Sequence, residues 1–206
     1  MRTEKLASVG VLTAGIAHEI GNPISVILGY LELIRGGGIA EGEMAEYLTQ
    51  MEHATARVNS TIRELLDFSR PSPEEGSSES SCDLTAVVRR AVKLLGPHKR
   101  FREVRVDTKG LDAGLWVVGD KGRYEQVMVN LLLNAADAME GRGQITVSGK
   151  RSGDKVRLDV GDTGVGIGVE AQERIFDPFY STKEEGLGTG LGLAIIRRIV
   201  TGFGGT

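Results

Sequence analysis

Cysteine is almost absent. Among 206 residues only Cys82 carries a thiol, so no intramolecular disulfide can form, and no Cys or His stands near it at metal-ligand spacing. A reducing, cytoplasmic setting is the expectation. Positive charge is not in excess either: 25 Lys and Arg stand against 28 Asp and Glu, a net charge of −3. Nothing here neutralises phosphates along a duplex, so no nucleic acid partner is expected. No run approaches the roughly 20 apolar residues that span a bilayer, and Met1–Lys5 lacks a signal peptide's apolar segment. The chain is expected to be soluble and to make no membrane contact, although a longer parent could carry a membrane segment before Met1. What is present is 40% apolar residues, enough to bury a core and to exclude wholesale disorder. The length suits one compact domain with an added element.

Composition changes sharply over residues 71–82, Pro-Ser-Pro-Glu-Glu-Gly-Ser-Ser-Glu-Ser-Ser-Cys, which has little to pack and much to solvate its backbone. This stretch is predicted to be a linker between a 1–70 domain and an 83–206 domain. In the first, Leu6, Val9, Thr13, Ile16, Ile20, Pro23, Ile27, Tyr30 and Ile34 follow at steps of three and four, a heptad seam on one long helix. After Gly36-Gly37-Gly38 the steps recur in Met44, Leu48, Met51, Thr55, Val58, Ile62 and Leu65, predicting a second, antiparallel helix that stops at Arg70-Pro71. Two helices alone cannot bury both seams, so a homodimeric four-helix bundle is expected. From periodicity alone, a helical dimeriser without chemistry is the simpler reading.

The second domain mixes periods. Asp83 is placed to cap a helix through Leu95, whose apolar positions recur at helical spacing. Strands are predicted over Val104–Asp107 and Leu115–Val118, a helix over Lys121–Met139, and a strand pair over Gln144–Gly149 and Lys155–Val160 around a turn at Ser152-Gly153-Asp154. Residues 161–188 are rich in glycine, and a last helix is predicted over Thr189–Val200. This order suggests an α/β sandwich, a sheet covered on one face, within an α+β chain overall.

With Leu6 at heptad position a, His18 falls at f, on the face farthest from the seam. A solvent-facing imidazole is largely neutral near pH 7, and its unprotonated nitrogen is a nucleophile. Glu19 beside it can accept a proton or fix the tautomer. Asn22 lies one turn further on the same face and can orient a water. Pro23 removes a backbone donor and is expected to loosen the helix there. By spacing alone, a solvated His-Glu surface pair fits equally. The string His18-Glu19-Ile20-Gly21-Asn22-Pro23, on a helix opened by Glu4-Lys5-Leu6-Ala7-Ser8-Val9-Gly10, resembles the phosphoacceptor helix of two-component sensor histidine kinases of the nitrogen-regulation type. That resemblance implies phosphorylation of His18, proton transfer assisted by Glu19, and support by Asn22 for dephosphorylation of a partner regulator.

The second half offers what a nucleotide triphosphate needs. Asn130 and Asn134 are one turn apart on one helical face with Asp137 beyond them; they can hold a hydrated magnesium ion, or form an ordinary polar edge. Asp162-Thr163-Gly164-Val165-Gly166-Ile167 follows a strand and puts a carboxylate where it can accept from an exocyclic amine. It lacks the alternating oxygen ligands of a calcium loop. Gly186-Leu187-Gly188-Thr189-Gly190-Leu191-Gly192-Leu193 runs into a helix, whose free amides and dipole favour an anion. Neither a Walker nor a Rossmann glycine pattern occurs.

These boxes, with Phe176-Asp177-Pro178-Phe179-Tyr180-Ser181-Thr182-Lys183 between the last two, resemble in order the catalytic domain of histidine kinases and the wider gyrase, heat-shock chaperone and mismatch-repair ATPase superfamily. The resemblance covers nearly the whole chain. It implies ATP and Mg²⁺ as ligands: Asn134 on the metal, Asn130 near the phosphates, Asp162 on adenine with Gly164 and Gly166 beside it. Lys183 and the amides of Gly188, Thr189, Gly190, Leu191 and Gly192 are implied at the phosphates, and 167–187 as a lid anchored by Phe176 and Phe179. It also implies a response regulator receiver domain as partner. Members of the family continue past the last helix with closing strands, so an unpaired sheet edge is expected here. Two rivals differ in outcome: an ATP-driven clamp tolerates loss of His18, and a nucleotide-binding scaffold yields no phosphoprotein.

Overall fold

A computed structural model describes residues 2–37, 39–40, 42–69, 80–183 and 188–206, with the side chains of 2–16 and 67–69 excepted. They gather into two compact units. The first holds an α-helical hairpin and Asp177–Leu191; the second holds 80–176 and Gly192–Thr206.

In the first unit, α1 spans Arg2–Gly36 and runs on through Pro23, and α2 spans Glu43–Ser69. Leu6, Val9, Thr13 and Ile16 of the predicted seam lie outside the described side chains. Further along, the seam on α1 is the inward face: Pro23 is fully buried and Ile20, Ile27, Tyr30 and Ile34 are half-buried. On α2 the seam differs from expectation. Met51, Val58 and Leu65 of the predicted seam are half-buried, but Met44, Leu48, Thr55 and Ile62 are exposed, whereas Ala54 and Thr61 are buried and Tyr47 half-buried. Small residues let the two helices approach closely, so the narrow Ala54–Thr61 strip faces α1, and Met44, Leu48 and Ile62 are left exposed. The Tyr30 and Tyr47 rings pack with centroids 5.0 Å apart. Thr61 satisfies its buried hydroxyl by donating to the Arg57 carbonyl at 3.1 Å, which removes the cost of hiding a polar group.

In the second unit, most of the predicted linker lies outside the described residues, but Ser81, Cys82 and Asp83 form a strand, β1. It pairs antiparallel with β3, Trp116–Val118, placing Cys82 opposite Val117. This strand carries only three residues, one of them buried, and so leaves little hydrophobic pattern in the sequence. Helix α3, Leu84–Leu95, begins at Asp83, whose carboxylate accepts from the Thr85 N–H at 3.0 Å, an N-cap. Helix α4, Lys121–Ala138, begins the same way at Asp120, accepting from Arg123 N–H at 2.8 Å. A three-stranded sheet has the order β2 (Glu103–Asp107), β4 (Arg142–Ser152), β5 (Lys155–Asp162), with β2 parallel and β5 antiparallel to β4. Glycine fills the tight β4–β5 turn at Gly153, φ +64°. Residues Val87, Val88, Leu132, Ala136, Ile145 and Val147 are wholly buried, so α3 and α4 share one core with β4. Two short pieces complete the unit: α5, Val169–Gln172, unseen in the sequence pattern, and α6, Gly192–Gly202, which starts three residues later than predicted.

Burial pushes the Cys82 thiol pKa up, with Asp83, Asp120 and Glu125 adding to this and Lys121 opposing it. It raises that of the neighbouring Tyr124 as well, whose hydroxyl donates to the Val118 carbonyl at 2.8 Å. No helix among the described residues is long and apolar enough to cross a membrane.

Candidate active site

His18 is exposed on α1, as position f predicts. One helical turn later the Asn22 amide nitrogen stands 3.3 Å from His18 Nε2. In the tautomer with the ring proton on Nδ1, Nε2 accepts from this amide. The Glu19 carboxylate lies 3.6 Å from the Arg57 guanidinium on α2, a neighbour that no local pattern in the sequence announces. Pro23, directly after this group, is buried.

Also in this unit, Phe179 adopts φ +65° and Gly190 φ +67°. The Phe179 N–H donates to the Gly190 carbonyl at 3.2 Å, and a Cβ on Gly190 would stand 2.5 Å from the Phe179 carbonyl carbon. Only glycine fits at 190 on both counts. Lys183 is half-buried; its backbone N–H donates to Ser181 Oγ at 3.1 Å, and its Cδ would lie 3.1 Å from a Cβ on Gly188. Thr189 donates its hydroxyl to Glu64 of α2 and accepts from the Leu191 N–H at 3.3 Å. Gly186 and Leu187, with the end of the predicted lid, lie outside the described residues.

The second unit carries the remaining predicted residues. Asn130 and Asn134 are half-buried one turn apart on α4. The Asn134 amide nitrogen is 3.9 Å from where a Cβ on Gly192 would stand, so it faces the first residue of α6. The first turn of a helix has N–H groups without intrahelical partners, and Asn134 supplies an amide beside them. This pairing of an oxygen-bearing side chain with open helix amides, next to a residue without a side chain, fits a magnesium-bound phosphate. Asp137, three residues beyond Asn134 on α4, meets Arg100 Nη1 with its two carboxylate oxygens at 2.9 and 3.2 Å.

Asp162 ends β5 exposed, and its Oδ1 accepts from the Gly164 N–H at 2.8 Å, an Asx-type turn that leaves Oδ2 for a ligand. Gly164 is wedged on α4: a Cβ would stand 2.5 Å from the Ala138 carbonyl oxygen, which also accepts from Val165 N–H at 3.1 Å. Thr163 Oγ1 accepts from Gln144 N–H at 3.1 Å and lies 3.3 Å from Met139 Sδ. Gly166, φ +72°, has open space around it. Of the predicted lid anchors, Phe176 is partly exposed and lies under the Arg197 guanidinium, 5.5 Å from ring centre to Cζ.

Residues 8–74 match the family model for the His Kinase A (phospho-acceptor) domain, and residues 119–206 that for the histidine kinase-, DNA gyrase B- and HSP90-like ATPases. A sensor histidine kinase, ZraS of Escherichia coli O157:H7, is 36% identical over 205 residues, 100% of this chain and 44% of ZraS. The crystal structure of histidine kinase ThkA in complex with response regulator protein TrrA is similar over 100% of this chain and 58% of that one, at 28% identity and a TM-score of 0.75. The isolated catalytic domain of ThkA is 32% identical over 60% of this chain and 80% of that one, with a TM-score of 0.53. The chain belongs to the sensor histidine kinases, carrying their phosphoacceptor and ATPase domains. It spans less than half the length of the curated relatives it matches.

Proposed function

We propose that this chain is the kinase core of a two-component system: it transfers the γ-phosphoryl group of ATP to His18 and passes it to an aspartate on a response regulator receiver domain. The observation that carries this is the exposed His18 with the Asn22 amide 3.3 Å from its Nε2. In the forward step Asn22 yields Nε2, which forms the nitrogen–phosphorus bond in line while the bond from γ-phosphorus to the bridging oxygen breaks and ADP departs with the electron pair. The ring gains positive charge, and Glu19 relieves it by taking the Nδ1 proton. Lys183 and the backbone amides of Gly188–Leu191 offset charge on the phosphates. Asn134, with Asn130 close by, would hold Mg²⁺, which would offset charge on the phosphate oxygens. Asp162 Oδ2 accepts from the adenine amine. In the reverse direction Asn22 positions a water against the phosphorylated regulator.

Assembly follows from surface. Ile24, Leu28 and Leu31 on α1 and Met44 and Leu48 on α2 are exposed, a stripe at steps of three and four that a second hairpin covers to complete a four-helix bundle. The regulator docks on the hairpin near His18, in a cytoplasmic setting. The ThkA structure is a complex with a response regulator, and that of full-length ShkA, 25% identical with a TM-score of 0.61, is a complex with AMPPNP. Three variants test the division of labour. Asn134→Ala and Asp162→Asn lower Mg-ATP affinity at least ~tenfold, whereas His18→Gln binds Mg-ATP normally and forms no phosphoprotein. Normal binding by both of the first pair refutes the assigned nucleotide contacts.

A further inference from the structure

Glu64 stands on the inward half of α2, and nothing in the sequence marks it. One carboxylate oxygen accepts the hydroxyl proton of Thr189; the other accepts from Ser60 Oγ at 3.1 Å. Both Glu64 and Thr189 are half-buried, so water screens the contact only in part. The backbone around Thr189 is set independently by the Phe179–Gly190 hydrogen bond and by the positive φ of both residues. Loss of Glu64 therefore frees the Thr189 hydroxyl without releasing the loop's internal geometry.

A threonine hydroxyl has one proton to donate, and Glu64 takes it. On the reading that the Gly188–Gly192 run receives nucleotide phosphates, on which this inference rests, Thr189 has two anionic suitors and a single proton. The two anions also repel each other. We propose that Glu64 is a competitor built into the hairpin: the Glu64 carboxylate and the phosphates of a nucleoside triphosphate use the Thr189 hydroxyl in alternation. Nucleotide entry breaks the contact between α2 and the 188–191 loop, and Glu64, held by Ser60, recaptures Thr189 when nucleotide leaves. Glu64 thereby weakens ATP affinity and times the release of the loop from α2. Only the phosphate end of the ligand is in competition, so adenosine is indifferent to Glu64.

The test is equilibrium binding of Mg-ATP and of adenosine to the full chain as wild type, Glu64→Ala, Glu64→Gln, Thr189→Val and the Glu64→Ala/Thr189→Val double variant, with circular dichroism to confirm folding. Glu64→Ala is expected to bind Mg-ATP about tenfold more tightly, the factor that one charge-assisted hydrogen bond is worth. Glu64→Gln gives a smaller gain, adenosine affinity stays constant, and Glu64→Ala adds nothing in the Thr189→Val background. Unchanged or weaker Mg-ATP binding in both Glu64 variants overturns the competition and leaves the nucleotide reading standing. A gain that persists without the Thr189 hydroxyl, or that extends to adenosine, overturns it too. Absence of Mg-ATP binding from the wild type and every variant overturns the phosphate reading of the loop, and this inference with it.

Discussion

Replacing Gly164 by alanine puts a methyl group where the Ala138 carbonyl oxygen, carbonyl carbon and Cβ would stand 2.5, 2.6 and 2.8 Å away. Two of those atoms are backbone at the C-terminal end of α4, so no side chain can swing aside. Either α4 or the 162–166 turn must move, an overpacking cost of about 1–3 kcal/mol. Moving the turn also breaks the Val165 N–H bond to Ala138, worth about 0.5–1.5 kcal/mol. Together the loss is roughly 2–4 kcal/mol, or a fall in melting temperature on the order of 10 °C. Two neighbouring glycines calibrate this. Gly166→Ala meets no atom within 4 Å but must hold φ +72°, costing about 1–2 kcal/mol. Gly161→Ala meets nothing within 4 Å and has no positive φ; it is neutral or stabilising by about 0.4–1 kcal/mol through the unfolded chain. Calorimetry and urea titration of the three read the order directly. Because Asp162 Oδ1 is tied to Gly164 N–H, Gly164→Ala also weakens Mg-ATP binding. A Gly164→Ala protein as stable as Gly161→Ala refutes the wedge and the positioning of Asp162 that depends on it.

Asn22→Ala removes the donor to His18 Nε2 and leaves the nucleophile in place. Autophosphorylation stays within about tenfold of wild type, while dephosphorylation of the partner regulator falls at least ~tenfold; equal losses of both contradict the assigned role. For Cys82, burial raises the thiol pKa, so the native fold favours the neutral form. The stability this brings is complete below the ordinary thiol pKa and declines as pH rises through the raised one. Accordingly, a thiol-specific reagent reacts slowly with Cys82 at neutral pH in the native protein and rapidly in urea, and the urea midpoint falls in alkali more for wild type than for Cys82→Ala. Equal native and denatured reaction rates contradict the burial argument.

Local chemistry was legible in the sequence wherever a feature depends on neighbours a few residues apart. The cap at Asp83, the β4–β5 hairpin and the seam of α1 through Ile20, Pro23 and Ile27 are of this kind. So is the one-turn relation of His18 to Asn22. On α2 the pattern was legible in part: Met51, Val58 and Leu65 are half-buried as the period requires, but close helix approach selects Ala54 and Thr61 for the fully buried places, which period counting passes over in favour of large apolar residues. Strand β1 was missed because its pairing partner, Trp116–Val118, lies more than 30 residues away. The same holds for Arg57 at Glu19, Arg100 at Asp137 and Glu64 at Thr189. Each is a single long-range contact with no periodic trace, and only the fold brings the pair together. Gly164 shows the intermediate case: its motif marks it as special, but the reason, the carbonyl of Ala138, appears only in three dimensions.

The central claim is that His18 is the phosphoryl acceptor. Its most direct test is to incubate the purified chain and its His18→Gln variant with γ-labelled Mg-ATP, confirm nucleotide binding by both, and expose the labelled protein to acid and to alkali. A phosphoramidate on imidazole is lost in acid and survives alkali. Label with that stability is expected on the wild type and none on His18→Gln. Label on the variant, or no label on a folded wild type that binds Mg-ATP, contradicts it.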